Sequence, residues 1–174
     1  NGAGAGTTTA ALLGGGGDPN KANTELYDGN SWSATNDLNT ARTYVGSAGT
    51  TSAAALCIGG EPYTAIVEEF DGTSWSQKAV LNTARSGLAG AGSSTSALAF
   101  GGQAPPYTAK TESYDGTAWT EVGDLATAVM SQFGCGTSVL ALSAGGDPGA
   151  SPGSPTTASE EWTVGQSIVT FTAT

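Results

Sequence analysis

Short apolar runs recur along this chain, and each is closed by glycine. Ala10-Ala11-Leu12-Leu13 runs into Gly14 to Gly17, and Ala54-Ala55-Leu56-Cys57-Ile58 into Gly59-Gly60. Ala97-Leu98-Ala99-Phe100 ends at Gly101-Gly102, and Leu140-Ala141-Leu142-Ser143-Ala144 at Gly145-Gly146. An acidic and aromatic segment follows each run: Glu25-Leu26-Tyr27, Glu68-Glu69-Phe70, Glu112-Ser113-Tyr114 and Glu160-Glu161-Trp162. In three units a further short segment begins at Trp32, Trp75 or Trp119. Ahead of the apolar run stands a Gly/Ala segment, as in Val45-Gly46-Ser47-Ala48-Gly49, Leu88-Ala89-Gly90-Ala91-Gly92 and Phe133-Gly134-Cys135-Gly136. No apolar set repeats at i, i+3, i+4, i+7, and turn residues interrupt every few positions, so the units read as four short strands without helices.

The aromatic after each Glu sits at 27, 70, 114 and 162, a spacing of 43, 44 and 48 residues. Self-similarity at that period marks a repeat architecture. The third and fourth strands are separated by Asp28-Gly29, Asp71-Gly72 or Asp115-Gly116. Asp-Gly predicts a two-residue hairpin turn, with Asp as turn former and Gly taking positive φ. The fourth unit lacks that dipeptide and runs from Val164-Gly165-Gln166-Ser167 into the alternating, β-branched Ile168-Val169-Thr170-Phe171-Thr172, which completes its sheet in place of a Trp strand.

A four-stranded antiparallel unit cannot bury both faces by itself. Stacking such units radially does so, and predicts an all-β protein: a β-propeller of four-stranded blades spanning about 1–35, 43–78, 86–122 and 130–174. Trp32, Trp75 and Trp119 are expected to wedge between adjacent blades, with Trp162, Tyr27, Phe70 and Tyr114 completing the repeated core. The small first strands suit crowding around an axis. The first unit reads as having its first strand cut short. The chain opens at Asn1 without Met, partway into a repeat, and reads as a piece of something longer. Closure with four blades, with upstream residues or through another copy are all compatible with the pattern.

Composition narrows the partners. Fifteen acidic residues stand against five basic ones, for a formal charge of −10. Lys21, Arg42, Lys78, Arg85 and Lys110 are too few to neutralise a run of phosphates, which excludes nucleic acid and disfavours an anionic membrane. No stretch is long and apolar enough for a spanning helix. Cys57 and Cys135 occupy non-equivalent repeat positions and read as buried free thiols, so no disulfide framework is expected.

At this point the residues resemble a known family. The Gly pair, the acidic and aromatic third strand, the Trp and then Arg42 or Arg85, in Leu38-Asn39-Thr40-Ala41-Arg42 and Leu81-Asn82-Thr83-Ala84-Arg85, are similar to the kelch repeat. Val129 replaces the basic residue once, and the fourth unit departs at its Trp. The Thr-Glu-x-Tyr-Asp-Gly-x-x-Trp and Asn-Thr-Ala-Arg style also resembles kelch-type repeats of bacteriophage tail and fibre proteins. That resemblance implies a kelch-like propeller at a virion surface or elsewhere outside the cell.

The chain has no histidine, which removes the usual general base and most transition-metal sites, and with them the copper chemistry of kelch-type oxidases. Glu25, Glu68, Glu112 and Glu160 occupy one repeated position and so are displayed around the fold, where an ion pair with Arg42 or Arg85, or bonds to turn amides, is their expected role. No cofactor, metal or catalytic residue is indicated. Loop length varies only between the second and third strands (17–24, 61–67, 103–111 and 147–159), and these loops share a face with the connections between units. Variation on one face marks a binding surface in repeat proteins. The candidates there are Asp18, Asn20, Tyr63, Gln103, Tyr107 and Asp147, with Asn39 and Asn82 from the connections. Pro105-Pro106 and Pro148, Pro152 and Pro155 stiffen two of the loops. The expected role is a non-enzymatic structural or adhesive module binding glycan or neighbouring subunits. The alternatives are a polysaccharide-acting enzyme using acidic residues of that face, and an intracellular adaptor.

Overall fold

The computed structural model describes residues 2–149, 155–164 and 169–171. Every element among them is a strand, and the sixteen strands form four antiparallel sheets of four, each ordered as in the chain. Sheet 1 holds β1 (Ala3–Gly6), β2 (Ala11–Gly16), β3 (Lys21–Tyr27) and β4 (Trp32–Ala34). Sheet 2 holds β5 (Gly46–Thr51), β6 (Ala54–Ile58), β7 (Val67–Phe70) and β8 (Trp75–Gln77). Sheet 3 holds β9 (Ala89–Gly92), β10 (Ala97–Phe100), β11 (Thr111–Tyr114) and β12 (Trp119–Glu121). Sheet 4 holds β13 (Phe133–Gly136), β14 (Leu140–Ala144), β15 (Ser159–Thr163) and β16 (Val169–Phe171). The fourth-unit positions 165–168 and 172, and the loop positions 150–154 with Pro152, lie outside the described residues.

The first strand of unit one is not cut short: β1 matches β9 in length and pairs fully with β2. The Asp-Gly turns also differ from expectation. Tyr27 pairs with Trp32, so four residues, not two, form the loop. Asp28 contributes through its side chain, Oδ1 accepting from the Asn30 and Ser31 amides at 2.8 Å each, while Gly29 alone takes positive φ (95°). Asp71 and Asp115 repeat the arrangement. A short side-chain acceptor satisfies two loop amides that a two-residue turn would not expose.

Consecutive sheets pack face to face. Between sheets 1 and 2 lie Leu12, Leu38, Val45, Cys57, Phe70 and Trp75; between sheets 2 and 3, Leu56, Ile58, Val67, Leu88, Tyr114 and Trp119. Leu98, Phe100, Leu125 and Ala141 fill the third interface, with Trp162 half-buried against them. The inner strands β1, β5, β9 and β13 line one cleft and approach closely. A methyl added at Gly90 would meet the Ser47 carbonyl oxygen at 2.4 Å, so only glycine permits that approach. The glycine pairs serve the same end at the sheet rims. Gly16, Gly60 and Gly102 each donate a backbone bond to the carbonyl of the following connection, at Arg42 (2.7 Å), Arg85 (3.0 Å) and Val129 (2.7 Å).

Among the described residues the row of sheets is open: β1 meets β5, β5 meets β9 and β9 meets β13, so of the closures compatible with the repeats a four-blade ring within this chain is not the one seen. Trp75 and Trp119 are each 6% exposed, whereas Trp32 is 49% exposed, because no sheet among the described residues packs on its face. At the other end Phe133, Leu140 and Leu142 of sheet 4 are exposed. Cys135 lies on that face and is exposed too, correcting the expectation of two buried thiols; both cysteines are free, and Cys57 is buried.

Candidate functional site

The repeated Glu–Arg pairs are framework. Arg42, fully buried, donates from Nη2 to Glu68 Oε1 (2.9 Å), from Nη1 to the carbonyls of Gly59 (2.7 Å) and Ile66 (2.9 Å), and from Nε to that of Thr40 (3.3 Å). Arg85 repeats this with Glu112 (3.1 Å) and the carbonyls of Ala99, Gly101 and Lys110. Burial lowers the Arg85 pKa, and the neighbouring Glu112, Asp124 and Glu121 carboxylates oppose that shift.

Asn39 and Asn82 belong to the same clamps. Asn39 Nδ2 donates to Glu68 Oε2 (2.8 Å) and to the Trp75 carbonyl (2.9 Å), and its amide N–H reaches the same carboxylate at 2.8 Å. Asn82 makes the equivalent bonds to Glu112 and Trp119. Both side-chain amides are therefore occupied within the fold. In unit four, where Ala126 and Val129 replace Asn and Arg, buried Glu160 has among the described residues only the amides of Ala126 (2.7 Å) and Thr127 (3.2 Å). Glu25 in sheet 1 is exposed and has no ion-pair partner among the described residues.

The remaining candidates gather on the rim formed by the second-to-third-strand loops. Isolated bridges Thr43–Glu61, Ser86–Gln103 and Met130–Asp147 tie each of the last three loops to the connection before it. This places the variable loops and the connections on one side, as the loop lengths suggest. Two clefts open there. Asp18 and Asn20 line the first, of about 390 Å3, with Thr43, Tyr44 and Glu61. Asn20 Nδ2 donates to the Glu61 carbonyl at 3.2 Å, joining the loops of sheets 1 and 2. Gln103 and Tyr107 line the second, of about 440 Å3, with Pro105, Pro106 and Pro148. Both volumes fall within the range of small-ligand sites.

In the second cleft the Tyr107 hydroxyl donates to Asp147 Oδ2 at 3.4 Å, and Asp147 Oδ1 accepts from the Gly149 amide at 2.8 Å. Desolvation and then the Asp147 carboxylate raise the Tyr107 phenol above its usual value, so it remains a neutral donor. Asp147 is thereby held in place against Tyr107 and Gly149, which line the cleft together with Pro105 and Pro106. Tyr63 is exposed on the loop of sheet 2 and lines neither cleft.

Glu61 and Tyr44 are the residues that sequence reasoning missed. Glu61 directly follows the Gly59-Gly60 pair at the position Asp147 takes after Gly145-Gly146, which is the signal for it. Tyr44 has φ of 53°, in the left-handed region where its counterpart Gly87 has 64°. A bulky side chain held there is strained. No group of three or more metal-ligating side chains is assembled among the described residues. The first cleft joins sheets 1 and 2 and is lined by Asp18 and Glu61, whereas the second joins sheets 3 and 4 and has, among the described residues, no acidic residue in its lining. No known protein family and no curated protein sequence matches this chain.

Proposed function

We propose that the chain is a non-enzymatic adhesive module whose four sheets are blades of a kelch-like propeller, part of a phage fibre or another surface protein. Its ligand is a neutral glycan taken at the loop rim. The observation that carries this reading is the second cleft, where Pro105, Pro106 and Tyr107 line one pocket with Gln103 while Asp147 holds the Tyr107 hydroxyl. A pyranose presents an apolar face to such a shelf and hydroxyls to the polar groups around it. The rigid loop limits the ordering cost of binding. Absence of histidine and the small share of charged residues (11%) favour recognition over turnover.

A glycan array probed with the wild-type chain tests this, alongside Tyr107→Ala and Asp147→Ala. Binding to particular glycans that falls about tenfold or more in either variant is the expected result. An array without signal, or binding indifferent to both substitutions, overturns it. One observation favours a second reading. Asp18 and Glu61 line a single cleft, which suits a polysaccharide-acting enzyme with a carboxylate pair. Release of reducing ends from polysaccharide, abolished by Asp18→Asn or Glu61→Gln, would establish that alternative.

A further inference from the structure

The two ends of the row of sheets carry opposite halves of one interface. Three times within the chain, the later-facing side of a sheet packs against the earlier-facing side of the next. Leu12, Leu56 and Leu98 occupy one position on the later-facing side, and each is buried. Their counterpart Leu142 is 38% exposed, with Phe133 and Cys135 open beside it on the same face. On the earlier-facing side, Cys57 and Ala99 are buried at the position of Leu13, and Phe70 and Tyr114 at that of Tyr27. Trp75 and Trp119 are likewise buried at the position of Trp32. In sheet 1 both Leu13 and Trp32 are exposed. Among the described residues the ring contact of Trp32 is within its own sheet, tilted 35° against Tyr27 with centroids 5.2 Å apart.

We propose that the chain associates head to tail with a second copy, the sheet 1 face of one (Leu13, Tyr27, Trp32) packing on the sheet 4 face of the other (Phe133, Leu140, Leu142). The surface that covers each exposed face is defined by the three internal interfaces, and each chain carries one of each half. Contact between unlike patches is heterologous, and it closes when the rotation allows. Two copies joined reciprocally bring together eight sheets, a number at which radial sheet assemblies close. The two faces are largely apolar, but each carries one exposed carboxylate, Glu25 beside Leu13 and Glu161 beside Leu142, and Glu25 lacks the Arg and Asn that hold Glu68 and Glu112. Burying Glu25 without those partners opposes association.

Sedimentation velocity and native mass measurement on the full chain test the proposal. The expected species is a dimer at high concentration that dissociates on dilution. Thiol labelling of Cys135 should slow as the dimer forms. A head variant, Leu13→Glu with Trp32→Ser, and a tail variant, Phe133→Ser with Leu142→Asp, should each weaken self-association by about thirtyfold or more. All four positions are exposed, so the variants keep their fold, which circular dichroism verifies. Mixing the two variants restores a heterodimer, because each retains the half the other lost. Glu25→Gln should tighten association severalfold. A chain that stays monomeric at millimolar concentration overturns the proposal. So does a dimer untouched by the variants, which would point to an occupant of another kind for these faces. Mixed variants that fail to pair overturn it as well. Glycan binding at the loop rim is read separately, so loss of either result leaves the other standing.

Discussion

Sheets 1 and 2 present the same residues in opposite circumstances. Glu25, Tyr27 and Trp32 repeat Glu68, Phe70 and Trp75 in type, spacing and strand register. In sheet 2 the Trp indole donates to Thr24 Oγ1 across the interface at 2.9 Å, and the Glu is enclosed by Arg42 and Asn39. In sheet 1 the indole is half exposed and the Glu faces solvent. The lesson is that these residues make a strand on their own but a core only with a neighbour. Sheet 4 illustrates the graded case. Its Glu160 is buried on two amides, and Thr111 Oγ1, the counterpart of Thr24 Oγ1, has no partner among the described residues.

The comparison can be broken most sharply at the clamp. Arg42→Ala leaves Glu68 buried without its counter-charge and should cost about 3–5 kcal/mol of stability in urea unfolding. Lys78→Ala, which removes an exposed pair with Glu69 (2.7 Å), should cost at most about 1 kcal/mol. Equal effects would show that burial is not what distinguishes the two pairs. Next comes the indole itself. Trp75→Ala should cost about 3–5 kcal/mol, and Trp32→Ala no more than about 1 kcal/mol on dilute chain. A comparable loss at both positions would contradict the open face of sheet 1.

Thiol reactivity sharpens the same contrast without altering stability. Burial pushes the Cys57 thiol up to about 12, so it should label only on unfolding, whereas Cys135 should label at once in dilute solution. The smallest effect concerns the turns, which are alike in all three sheets that carry them. The Thr117 side chain and the Ala118 and Thr117 amides hold the Asp115 carboxylate down to about 2. A depressed folded-state value stabilises the fold above the unfolded carboxylate's range, near 4. That contribution fades as pH falls toward about 2. Asp115→Asn should therefore melt slightly below wild type near neutral pH, with the difference vanishing in acid. A difference that grows in acid would reverse the assignment.

Much of this was legible because it is local. Gly59-Gly60 and Gly101-Gly102 announce a backbone that only glycine adopts, and Asp28-Gly29 announces a turn, though not that the Asp side chain lengthens it to four residues. The Glu–Arg pairing was legible from co-occurrence in the repeat. The same signal extends to Asn39 and Asn82: unit four loses Asn and Arg together, as members of one clamp would be lost. That signal goes unused in assigning Asn39 and Asn82 to ligand contact, because a polar Asn in a connection between units reads that way too. Cys135 was misjudged because its apolar surroundings in sequence say nothing about whether a sheet lies over it.

Strand order, repeat period, turn positions and the glycine-lined inner strands were set by the sequence alone, since each depends on a few adjacent residues. Which copy of a repeated residue is buried, and which loop residues share a cleft, was decided only in three dimensions. Burial is a property of the surface opposite, and Trp32 and Trp75 differ in that and in little else.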